Sequence, residues 1–145
     1  MVEDSKHVTF CGSCHVMTPI LESLKDNESL ASIHFLSGRV PHDEACYICH
    51  SGYGIWGGVS AKRAGVMHML HAINGNYDLP LKLNGRFDIN SCLNCHAQAE
   101  RFRAVEAHRP PDVQEALMSG EMSCAGLCHP AAHPESALGG GTPAS

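Results

Sequence analysis

All eight cysteines of this chain fall into four close pairs, and each pair is followed at once by histidine: Cys11/Cys14-His15, Cys46/Cys49-His50, Cys92/Cys95-His96 and Cys124/Cys128-His129. Three read C-x-x-C-H; the fourth, C-A-G-L-C-H, has one more residue between its cysteines. Placed at its overall frequency of 11 in 145, histidine would follow all four pairs in roughly 3 cases per 100,000. Zinc sites and disulfides also use paired cysteines, but neither needs a histidine next in the chain every time. Covalent attachment of a c-type heme does. Two thiols add across the two vinyl groups of one porphyrin, and the adjacent imidazole is then placed beneath the iron. The pattern predicts four heme c groups held by Cys11, Cys14, Cys46, Cys49, Cys92, Cys95, Cys124 and Cys128. A local bulge is expected to absorb the extra residue of the fourth motif, and no free thiol is left for redox catalysis.

Four hemes on 145 residues leave fewer than 40 residues for each. Hydrophobic residues make up 43% of the chain but aromatics only 6%, so porphyrin faces rather than side chains must supply the interior. The expected fold is mainly α with extensive loops, a small multiheme c-type cytochrome in which the hemes form the core. Thioether links then constrain a chain that could not bury enough surface by itself, as disulfides do in small secreted domains, and the apo chain is expected to be unfolded.

The motifs recur at spacings of 35, 46 and 32 residues between first cysteines, too uneven for a solenoid. They read as one domain over residues 1–135, with 136–145 a disordered tail. A helix is predicted from Thr18 to Ser37, with Thr18 as cap, Pro19 in the first turn, a break near Asp26-Asn27 and Gly38 as stop. Residues 40–58 read as loop, with Tyr53 and Trp56 available to pack on a porphyrin. A second helix runs from Val59 to Ile73 and stops at Asn74-Gly75. A third, Ala97 to His108, and a short fourth, Asp112 to Ser119, follow the third motif.

Net charge is -5, with no run of five or six like charges, which argues against nucleic-acid binding. No stretch approaches the roughly 18 apolar residues that a spanning helix needs. Beyond the motif histidines His15, His50, His96 and His129, seven others are available: His7, His34, His42, His68, His71, His108 and His133. Low-spin electron-transfer heme takes two strong axial ligands, so up to four of the seven should be claimed. His68 and His71 fall three residues apart on one helix face. Met17, two residues beyond His15, is the one methionine spaced to compete for an adjacent iron; Met67, Met69, Met118 and Met122 read as packing residues.

C-G-S-C-H-V-M, S-I-H-F-L-S-G, C-Y-I-C-H, the apolar helix with its histidines and Gly75, C-L-N-C-H and C-H-P-A-A-H together resemble the NapC/NirT/NrfH family of tetraheme cytochromes, over nearly the whole chain from Phe10 to His133. The resemblance implies electron transfer from membrane quinol to periplasmic partners such as nitrate or nitrite reductases. It implies that Met17 can bind the first iron in place of His15, with His15 the rival ligand, that His34 reaches the fourth heme and His133 the third, and that His68 or His71 faces the first, with His108 then taken for the second. Members of that family carry a membrane helix before the first motif, whereas ten residues precede Cys11 here. With an anchor outside this chain the quinol reading stands; without one the chain is a soluble relay or a subunit docked on a membrane protein.

Three functions follow. The leading one is electron relay through four hemes, from a membrane quinol pool or membrane complex to a periplasmic or extracellular redox partner. The alternative is an enzyme, a quinol dehydrogenase or small-oxyanion reductase, at an open first heme. A third is a subunit of a polymeric assembly, with His7 as a ligand donated to a neighbouring copy. Heme attachment takes place outside the cytoplasmic membrane, so the mature protein is expected in the periplasm or at the cell surface, membrane-associated if an anchor lies outside this chain. Its negative charge, increased by heme propionates, suits redox partners with basic docking patches.

Overall fold

The computed structural model describes residues 4–51, 57–78, 81 and 89–139. Those residues form a mainly helical chain of short segments with no strand among them. The α-helices are α1 (Val8–Cys11), α2 (Thr18–Ser23), α3 (Leu30–Leu36), α4 (Ala45–His50), α5 (Gly57–Ile73), α6 (Asn90–His96), α7 (Glu100–Ala104) and α8 (Pro111–Ser119), with 3-10 turns at Asp4–Lys6, His15–Met17, Glu106–His108 and Glu135–Leu138. No helix among the described residues is long and apolar enough to cross a membrane.

The predicted helix over 18–37 is two helices. Asn27, the one non-glycine among the described residues with positive φ (55°), sits in the break that separates them. α3 then restarts on a reciprocal cap: the Ser32 amide donates to Ser29 Oγ (3.2 Å) and the Ser29 amide to Ser32 Oγ (3.0 Å). The next orphan donors of its first turn go elsewhere, Leu30 N–H to the Ala131 carbonyl (2.9 Å) and Ala31 N–H to that of Ala132 (3.1 Å). These bonds tie the start of α3 to the segment after the fourth motif. Its end is a Schellman turn, with Gly38 at φ 64°, Gly38 N–H on the Phe35 carbonyl and Arg39 N–H on that of His34.

α5 begins two residues before its expected start and ends in the same way, Gly75 N–H bonding Ala72 and Asn76 N–H bonding His71. Residues 45–50, read as loop, are helical: α4 carries the second motif just as α6 carries the third. α7 is shorter than the expected 97–108 helix and gives way at Val105 to the 3-10 turn holding His108. Tyr53 and Trp56 lie outside the described residues, as do 140–145. Residues 136–138, by contrast, belong to the 3-10 turn Glu135–Leu138, whose Ala137 is buried against α2.

α1 packs on α4 and α4 on α6, so the first three motifs stand side by side. The Val8 amide bonds the Asp43 carbonyl (2.7 Å) at the first of these junctions. Gly12, inside the first motif, allows the close approach of Leu21, because a Cβ there would collide with that side chain. The buried apolar side chains among the described residues are few: Ile20, Leu24, Ala45 and Ala137. Many large ones are exposed, and along α5 Val59, Val66, Met67, Met69, Leu70 and Ile73 all are. A chain this long ordinarily buries far more than four apolar side chains.

Candidate heme sites

The second and third motifs are wound on helices, so Cys46 and Cys49, or Cys92 and Cys95, stand one turn apart, with His50 or His96 as the last helical residue. In the first motif Cys11 ends α1 and His15 opens a 3-10 turn. The fourth absorbs its extra residue in a wide turn: Gly126 takes φ 82°, its amide bonds the His129 carbonyl (2.9 Å), and the His129 amide bonds back to Cys124 (3.0 Å). The bulge expected from the sequence is this turn, and glycine is what allows its left-handed backbone.

Thiols of successive motifs also meet. Cys46 donates a hydrogen bond to Cys11, which draws Cys11 down to about 7 and, with burial, pushes Cys46 up. Burial raises Cys124, which lies within hydrogen-bond reach of Cys92. Burial also raises Cys49, with the nearby Cys95 adding to it.

Three of the four motif histidines face a second imidazole. His96 meets His34 of α3 with ring centres 5.9 Å apart and planes at 90°. His50 meets His133 at 6.1 Å and 11°. His129 meets His108 at 6.1 Å and 34°. Packing stacks in the same molecule are tighter, 4.3 Å for Phe35 on His42 and 4.5 Å for Phe102 on His108. Two imidazoles that share one metal ion through bonds of about 2 Å have ring centres about 6 Å apart. Each pair joins one motif histidine to one spare histidine, and no histidine is used twice.

The donor chemistry fits the same use. His34 Nδ1 donates to the Leu30 carbonyl (2.6 Å) and His108 Nδ1 to the Phe102 carbonyl (3.0 Å), which fixes the Nδ1–H tautomer of each neutral ring and makes Nε2 its free acceptor atom. His133 Nδ1 is buried with no hydrogen-bond partner. Burial, then His50, lowers the pKa of His133; burial, then His34 and His129, lowers that of His96. Burial, then His68, lowers His50 as well, although that residue keeps an exposed outer surface. Depressed imidazoles are neutral at neutral pH, the state in which they bind metal. No group of three or more His, Cys, Asp or Glu side chains that could hold a metal ion is found among the described residues, so the histidines come together in twos only.

His15 differs. No second aromatic ring is in contact with it among the described residues, and it borders a cavity of about 260 Å³ with Val16, Pro19, Tyr77, Leu81 and Leu138. Met17 is half-buried and lies off that cavity. The 3-10 turn His15–Met17 accounts for the difference, since at three residues per turn positions i and i+2 point about 120° apart. On α5 His71 is half-buried and His68 is exposed but close enough to His50 to help depress it.

The pairings depart from those the family resemblance implies. His34 lies at the third motif rather than the fourth, His133 at the second rather than the third, and His108 at the fourth rather than the second. Two of the remaining histidines are structural: His42 Nε2 donates to the Phe35 carbonyl (2.8 Å), and His7 sits 3.9 Å from the Asp43 carboxylate. The sequence reading missed the carbonyls that orient the spare imidazoles, Tyr77, and the Ser29–Ser32 box, although S-L-A-S ahead of an apolar run is a legible capping signal. No family model matches the chain, and no curated protein or solved structure matches it.

Proposed function

We propose that the chain is a four-heme electron carrier, relaying electrons from a membrane quinol pool or membrane complex to a periplasmic or extracellular redox partner. The observation that carries this reading is the set of three histidine pairs at 5.9–6.1 Å. A heme macrocycle fills four positions of its iron and asks the protein for only two more, which a pair of imidazoles supplies, and beside each pair lie the two cysteines that would anchor it. Bound there, a heme supplies reversible one-electron exchange at iron. Three sites would be closed by two nitrogens, His34 with His96, His50 with His133 and His108 with His129. Closed positions admit no substrate, so these residues suit transfer rather than bond chemistry.

At the first motif His15, which borders the cavity, is the better ligand, and Met17 would reach the same metal only if the turn opened. The quinol donor, the periplasmic location and the kind of acceptor rest on the motif chemistry and on the resemblance to the NapC/NirT/NrfH family. Reductive titration of the native protein tests the reading. It should take up four electrons per chain and return them to a one-electron acceptor with no substrate added; uptake of none, or of two per disulfide at low potential, would overturn it.

A second reading is favoured by one observation, the cavity beside His15 with no imidazole opposite. A quinol-oxidising or oxyanion-reducing enzyme would use that open position. A high-spin signal from one heme in four supports it, and a fully low-spin protein removes it.

A further inference from the structure

We infer that axial ligation crosses the chain in a fixed order, with His133 on the second site, His34 on the third and His108 on the fourth, and that the ring-plane angles make these three sites magnetically distinct. The inference rests on the heme reading above and goes beyond it, because it derives from the seam and the ring-plane angles a separate magnetic signature for each site. His133 is 83 residues from His50 and His34 is 62 from His96. Two of the three closures therefore join the first half of the chain to its second half. The backbone has built the crossing: Leu30 and Ala31 donate to the carbonyls of Ala131 and Ala132, two and one residues before His133. One turn later on α3, the Leu30 carbonyl takes the Nδ1 proton of His34 and turns that ring to His96. A single seam thus sets both His34 and His133.

The angle between two axial imidazole planes decides how the ligand field splits the iron dπ orbitals. Parallel planes act on the same orbital and lift the degeneracy, which gives a rhombic low-spin ferric signal. Perpendicular planes act on both orbitals equally and leave them nearly degenerate, which gives one very anisotropic feature at large g. His50 with His133 at 11° belongs to the first kind and His34 with His96 at 90° to the second; His108 with His129 at 34° lies nearer the first.

The test is electron paramagnetic resonance of the oxidised holoprotein, with heme content measured on each sample. The wild type should show one large-g low-spin feature and two rhombic ones. His34→Ala should remove the large-g feature alone and turn one heme in four high-spin; His133→Ala should remove the more rhombic of the other two. If His34→Ala fails to accumulate, His34→Met, which keeps a sixth ligand, should replace the large-g feature with a sulfur-to-iron charge-transfer band. Loss of a rhombic signal in either His34 variant, or survival of the large-g feature in both, overturns the assignment while four hemes per chain uphold the reading beneath it. A chain without heme overturns both.

Discussion

His34 and His108 are spare histidines whose use depends on a proton. Each has its Nδ1 hydrogen tied to a backbone carbonyl, which in the neutral ring selects the tautomer that offers Nε2 to a metal and needs no neighbouring charge. A list of histidines shows supply and demand but not this orientation, because the accepting carbonyls belong to Leu30 and Phe102, residues with no chemistry of their own. The choice between His15 and Met17 was legible as a choice, and the turn that separates their directions was not. Met17→Leu should therefore leave the optical and magnetic spectra of the holoprotein unchanged, whereas loss of a methionine–iron band in that variant would put Met17 on the metal. The buried Ser29 hydroxyl is a simpler case. Ser29→Ala deletes the acceptor for the Ser32 amide in a buried cap, and denaturant unfolding should show a loss of about 1 kcal/mol.

The glycine-closed helix ends and the short α8 were read well, and the helices made of attachment motifs were not. Gly38 and Gly75 both occupy the left-handed position that closes a Schellman turn, the role their places after apolar runs suggested. A Cβ on Gly38 would meet nothing within 4 Å, so Gly38→Ala isolates the backbone cost; thermal or denaturant unfolding should report about 1 kcal/mol, and no change would mean the turn had found another closure. α4 and α6 escaped because each is only six or seven residues long and made almost wholly of an attachment motif. Cysteine and histidine at that spacing carry no apolar period to read, yet the spacing itself places both thiols one helical turn apart. α7 was overextended for a similar reason: Val105 ends it without glycine or proline, and Pro110 only excludes α-helix further on.

Across the whole molecule the mainly helical class was legible and the path of the chain was not, since the seam between α3 and residues 131–132 joins segments about a hundred positions apart through backbone groups alone. Among the described residues, four buried apolar side chains and an α5 exposed along most of its length make a sparse side-chain interior. In the proposed account porphyrin faces supply that interior. A variant with all eight cysteines changed to serine should lose cooperative unfolding and much of its far-ultraviolet helix signal; a sharp, native-like transition in that variant would show that the side chains suffice. Most direct of all is the intact mass of the native protein alongside its pyridine hemochrome spectrum. The account predicts the polypeptide plus four covalently bound heme c groups. A mass equal to the bare chain, or to the bare chain less the hydrogens of its disulfides, would contradict it.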